Sequence, residues 1–196
     1  MATHNLADLE PFVLTELPKC PPALLLQETR NVIMLFCEES RQWRVELDAI
    51  AVTKDLTTYD LERPYAYSSI IMPTKVVYDG ITLAADTDYK MTTRTEMELQ
   101  FTPDKDLDEG LVVTVALRPA PSATVIDGRL FEDWYQVWGD GVKGALMRMS
   151  DQAWTDPNMA PYYWRQFMDG IARARVDRIK GGTNRTLIAR PRFKFA

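Results

Sequence analysis

The residues best equipped to grip a partner stand together at the end of the chain, in "GGTNRTLIARPRFKFA". Arg185, Arg190, Arg192 and Lys194 supply cations there, and Leu187, Ile188, Phe193 and Phe195 supply apolar surface, with no acid among them. Arginine presents planar, multidentate donors that match carboxylates, while each apolar side chain contributes ~1.5–3 kcal/mol if fully buried. Pro191 removes a donor and stiffens the chain, and the alternation in "RFKF" suits addition to the edge of a sheet. The chemistry of this segment is therefore docking, on protein or on nucleic acid.

Catalytic chemistry has little material elsewhere. The single histidine, His4, lies in an N-terminal stretch that reads as mobile, which removes histidine-activated nucleophiles and multi-histidine metal sites. G-x-x-x-x-G-K-[ST] does not occur, and Gly139, Gly141 and Gly144, although they have G-x-G-x-x-G spacing, sit inside a helical pattern and not at a strand-to-helix turn that could hold a dinucleotide. No D-x-[DN]-x-[DN]-G run marks a cation loop. A glycosidase-type carboxylate pair stays open among 28 acids, many of which must be neighbours by chance. The expectation is a protein that is not an enzyme and holds neither cofactor nor metal.

The charge of the chain is uneven. The formal net charge is -5, but the segment from Ile171 onward carries +7, leaving -12 on the preceding 170 residues. An acidic body with a basic end marks an interaction tail and does not suit a surface that wraps nucleic acid. No apolar run approaches the ~20 residues of a membrane span, and "MATHNLADLE" lacks the form of a secretory signal. These features lead us to expect synthesis in the cytoplasm and no membrane. Cys20 and Cys37 have no metal-type spacing, and Cys37 falls inside a helical apolar pattern where it packs as a small hydrophobe.

These residues need elements to position them. Residues 1–20 read as an irregular arm around Pro11 and Pro18. A helix follows from about Ala23 to Arg44, with Leu25, Val32, Leu35, Phe36 and Trp43 at helical spacing behind the Pro21-Pro22 start. "VELDAIAVT", "YAYSSIIMP", "TKVVYDGITL", "TDYKMTT", "EMELQFTP" and "LVVTVALRP" read as a meander of five or six strands, with Asp79-Gly80 at a hairpin turn. The connector holding Asp104, Asp106, Asp108 and Glu109 reads either as a solvated hairpin tip or as acids facing a channel that DNA slides through.

Helical period returns from about Gly128 to Ser150, with Leu130, Phe131, Trp134, Trp138, Val142 and Leu146 on one stripe and Gly139, Gly141 and Gly144 inviting close approach of another backbone. A second helix is expected to start at an Asp156 cap with Pro157 and to stop at Gly181-Gly182, forming an antiparallel hairpin with the first. The aromatic residues around it could be a stacking platform, but Glu132, Asp133, Asp140, Asp151 and Asp156 would repel phosphates. The aromatics therefore read as core, with Tyr162 and Trp164 as candidates for a subunit interface. The fold class is α+β: a small, mainly antiparallel sheet, a helix before it, a helical hairpin after it and an extended arm. The units are residues 1–20, a main domain over 21–182, and a docking arm over 183–196 hinged at Gly181-Gly182.

In this order of elements, "PPALLLQETRNVIMLFCEESRQWR" and "MSDQAWTDPNMAPYYWRQFMDGIARARVDRIKGG" resemble the head-to-tail adaptor (connector, or neck) proteins of tailed bacteriophages. The shared shape is a small-residue-rich helix that leads through a W-x-[DN]-P turn into an aromatic helix ending in A-R. Trp154, Asp156, Pro157, Tyr162, Phe167, Ile171, Ala172 and Arg173 match it. The likeness runs diffusely from Pro21 onward, and the strands match only in kind. It implies a structural virion protein at the capsid–tail junction. Such a protein forms a ring, typically of twelve copies, between the portal and the tail or next neck protein, and packaged DNA passes through without sequence-specific contact. Our own placement of the portal contact is Arg185 to Phe195. The rival readings are a tail-completion or stopper ring protein, and a DNA-binding accessory protein using the basic end.

Overall fold

A computed structural model describes residues 2–180. Its first twenty residues are not an irregular arm. Thr3–Asn5 form a strand (β1), Leu6–Leu9 a 3-10 turn, and Glu10–Leu14 a short helix (α1) with Pro11 in its first turn. Asn5 caps this start: its side chain accepts from the Ala7 amide at 3.0 Å, and Asp8 accepts from the Asn5 amide at 3.1 Å. Leu6, Leu9, Val13 and Leu17 recur every three or four residues and are all buried. That period outweighs the two prolines, so the segment is core. His4 is held as well, stacked on Phe131 with ring centroids 4.7 Å apart.

The next helix (α2) spans Pro22–Ser40, shorter than the apolar spacing suggests. Arg41 turns left-handed (φ 52°), and its amide closes on the Cys37 carbonyl at 2.9 Å. Trp43 therefore leaves the helix, although it stays buried at the start of the sheet. Cys37 is buried as expected, and burial pushes its thiol well above the ordinary range.

The β region divides into more than one sheet. Arg44–Glu46 (β2) and Ile50–Val52 (β3) both pair antiparallel with Leu107–Pro119 (β9), which also pairs along its other side with Ser68–Tyr78 (β5). A short strand, Ile81–Thr82 (β6), completes this sheet. Thr58–Asp60 (β4), Glu96–Leu99 (β8) and Tyr89–Met91 (β7) form a separate three-stranded sheet. Val125–Asp127 (β10) pairs with β1.

The single meander is thus corrected. The acidic connector carries the chain from one sheet to another instead of closing a hairpin, and Asp108 and Glu109 already belong to β9. β5 runs through Pro73, where shifts of register on either side absorb the missing donor. The Asp79-Gly80 hairpin is as read: φ is 45° and 79° at its two central residues, the signature of a tight turn matched to strand twist.

Helices α3 (Gly128–Met147) and α4 (Ala160–Lys180) form the antiparallel hairpin. Asp127 caps α3 by accepting from the Leu130 amide at 3.0 Å. Asp156 accepts from the amides of Asn158 and Met159, and its carbonyl accepts from the Ala160 amide, so it caps a turn that leads into α4. The glycines of α3 set the spacing. A Cβ on Gly144 would lie 2.8 Å from the Trp164 backbone nitrogen, whereas one on Gly139 would meet only the Phe12 ring. Gly144→Ala should therefore cost about 1–3 kcal/mol despite the gain in helix propensity. Gly139→Ala should cost clearly less, because a ring swings aside more readily than a backbone. Thermal unfolding of the two variants checks the order.

Trp138 is fully buried and meets Phe36 and Phe131 edge-on, with centroids 5.7 and 6.0 Å away. The tryptophans of α3 are core, not a stacking platform. The chain is α+β, with a helix ahead of mainly antiparallel sheets and a helical hairpin behind them.

Candidate functional site

The docking residues Arg185, Leu187, Ile188, Arg190, Arg192, Phe193, Lys194 and Phe195, and the glycine hinge at 181–182, lie outside the described residues. Of the two interface candidates, only Tyr162 projects, at 53% exposure. Trp164 is packed: Arg148 lies over its face at 4.0 Å, and Phe167 is 5.2 Å away between centroids. Tyr162 shares the outer side of α4 with Met168, Val176 and Ile179, all more than a third exposed.

The acids of the β8–β9 connector are exposed, but two contacts tie the loop down. Asp106 accepts from the Lys54 amide at 2.6 Å, and Lys105 pairs with Asp79 at 2.6 Å. Asp104, Asp108 and Glu109 face solvent.

One cleft is concealed by sequence order. It has a volume of about 640 Å³ and lies between residues 45–50 and residues 60–65. Glu46 and Asp48 stand on one wall and Asp60 and Glu62 on the other, and Arg63 is the one cation among the described lining residues. All four acids are exposed. Tyr65 closes one end, and it belongs to a stack with Tyr67 and Trp43: neighbouring planes lie within 8–17° and centroids 5.3–6.3 Å apart. Such a cleft attracts cations and flat guanidinium groups, and it repels phosphate. Its two walls are 14 residues apart in sequence, so no motif marks it.

A second concentration of charge is internal. Lys143 is only 4% exposed, and its Nζ lies 2.9 Å from Glu16 Oε1 and 4.0 Å over the Phe12 ring. The Tyr163 hydroxyl donates to the other Glu16 oxygen. Burial pushes the Glu16 carboxyl up, but the bonds from Tyr163 and Lys143 outweigh it and leave the carboxyl below its ordinary value. Burial and then Glu16 push Tyr163 well above its own ordinary value, and burial raises Asp140 against the pull of Lys143. This cluster joins the N-terminal segment to α3 and α4. Its Lys143 member is buried while Glu16 keeps one side toward solvent, and the contacts clamp the three segments together.

Among the described residues, no three histidine, cysteine or carboxylate groups converge on a point fit for a metal ion. None of their helices is long and apolar enough to cross a membrane. No family model matches the chain, and no curated protein sequence matches it.

Proposed function

We propose that the protein is a structural head-to-tail adaptor of a tailed bacteriophage virion. Copies of the chain form a ring below the portal, extend the DNA channel and present the opposite side to the tail. The basic apolar segment at 183–196 docks on portal subunits. One observation carries the reading: the α3–α4 hairpin. Its small-residue helix approaches an aromatic helix to backbone contact at Gly144, and the Trp154-x-Asp156-Pro157 turn, capped by Asp156, joins the two. The order of helix, antiparallel strands, helical hairpin and basic end agrees with the adaptor pattern. The acidic surface suits a channel wall, because carboxylates do not retain DNA. The exposed apolar side chains on α4 give the ring a surface for subunit contact.

Electron microscopy of the protein mixed with portal-containing capsids tests the assignment. A ring of density at one vertex is expected. Density at the far end of a tail-side assembly would favour the stopper reading, and no association with capsids would remove both.

A further inference from the structure

We propose that the acidic cleft between residues 45–50 and 60–65 is the seat of this chain's own C-terminal segment, with Arg190, Arg192 and Lys194 entering between its two acidic walls. The inference concerns the free subunit and does not rest on the adaptor reading.

Three observations converge on that occupant. The first is where the described chain ends. Arg175 in the last turns of α4 bonds the Glu39 carbonyl at 2.8 Å and pairs with the Glu39 carboxylate, at the end of α2 and only five residues before β2. Burial, and then the nearby Arg178 guanidinium, hold Arg44 at the start of β2 below its ordinary value. Lys180 thus leaves the body on the side where β2 begins. Ten further residues reach Arg190, an extended span of roughly 33–36 Å. From Arg44 to Ile50 the extended backbone covers only about 20 Å. The cleft is within reach, with slack.

The second is an open edge. In the described sheet β2 pairs with β9 on one side, and no described strand pairs with it on the other. The Leu47 amide bonds Val113 inward, as does the Trp43 carbonyl to the Leu117 amide, so the backbone groups of Arg44 and Glu46 point out along the free edge. An unpaired edge of this kind accepts an extended segment through main-chain bonds.

The third is matching spacing. In an extended chain residues two apart share a face, so Arg190, Arg192 and Lys194 fall on one side and Phe193 and Phe195 on the other. Glu46 and Asp48, and Asp60 and Glu62, have the same two-residue spacing on the two walls of the cleft. Three cations spaced about 6.6 Å apart meet carboxylates repeating at the same interval.

The experiment uses the full chain, mixed in equal parts from unlabelled and 15N-labelled protein and treated with a carbodiimide. The reagent joins the amine of Lys194, the one lysine beyond residue 180, to a nearby carboxylate as an amide. Links from Lys194 to Glu46, Asp48, Asp60 or Glu62 are expected, with both peptides carrying the same isotope. In R190Q/R192Q, which removes the two guanidinium charges without adding a carboxylate that could compete for Lys194, those links should fall about fivefold or more. Hydrogen exchange over residues 44–50 should be faster in that variant by about tenfold. Links of mixed isotope would assign the cleft to a second copy and overturn the inference. So would links to other surfaces, no links at all, or exchange rates that do not change. Because no capsid is present, these outcomes are separate from the test of the adaptor reading.

Discussion

Deleting residues 183–196 is expected to leave a folded body and to abolish binding to portal-containing capsids. The body should survive because its core is complete without them: Leu6 at one end of the chain and Ala174 at the other are both fully buried within residues 2–180. Binding should fail because the deleted residues hold four apolar side chains and four cations that have no substitute on an acidic body. Within the segment, changing Phe193 and Phe195 together to alanine should weaken attachment more than Lys194→Ala, since apolar burial survives salt and phosphate pairing does not. Co-sedimentation with capsids at low and high salt reads both. Undiminished binding by the truncated chain would sink the docking role. Dominance of Lys194 together with loss of binding in salt would favour a nucleic-acid partner.

Glu16→Ala should be the most damaging single change outside the apolar core. It leaves the Lys143 ammonium 4% exposed without its carboxylate and strips the Tyr163 hydroxyl of its acceptor. Breaking a fully buried pair from one side costs about 3–5 kcal/mol. Glu16 is 38% exposed, so water recovers part of that, and a loss of about 2–3 kcal/mol is expected. At this chain length that is a fall of roughly 4–12 °C in melting temperature. Glu16→Ala combined with Lys143→Met should regain most of it, because the stranded charge goes with its partner.

The pH dependence has a definite sign. The folded Glu16 carboxyl titrates below its ordinary 4.5, so its contribution is complete above that pH and is lost as pH falls through the lower folded value. Asp140, raised by burial, acts in the opposite direction. Glu16→Gln should therefore flatten the acid limb of the stability curve below pH 4.5 while Asp140 remains. An unchanged limb would show that Glu16 does not carry it.

The elements that sequence made legible are those whose signals are local. The helical hairpin declares itself through apolar spacing and the Asp156 cap, and the Asp79-Gly80 turn through its two residues. The N-terminal segment is core against expectation, because the buried period of Leu6, Leu9, Val13 and Leu17 outweighs the chain-breaking signal of Pro11 and Pro18. Tyr162 and Trp164 are two residues apart on one helix, yet only contact with Arg148 and Phe167 separates the packed ring from the projecting one. The acidic cleft was invisible for a topological reason. Glu46 lies on β2, which pairs with β9, while Asp60 ends β4, which pairs with β8, so the cleft joins two sheets and no local signal marks it.

β9 has a consequence for how the protein is made. Every strand of its sheet except β6 pairs with it directly, and those partners, β2, β3 and β5, are all synthesised earlier. Even β1 waits, since Thr3 pairs with Asp127. On the ribosome, residues 44–78 emerge as strands with no central strand to receive them, and their edges stay open until Pro119 has cleared the exit tunnel. The sheet then closes around a late arrival, and the first residues of the chain are among the last to find their place.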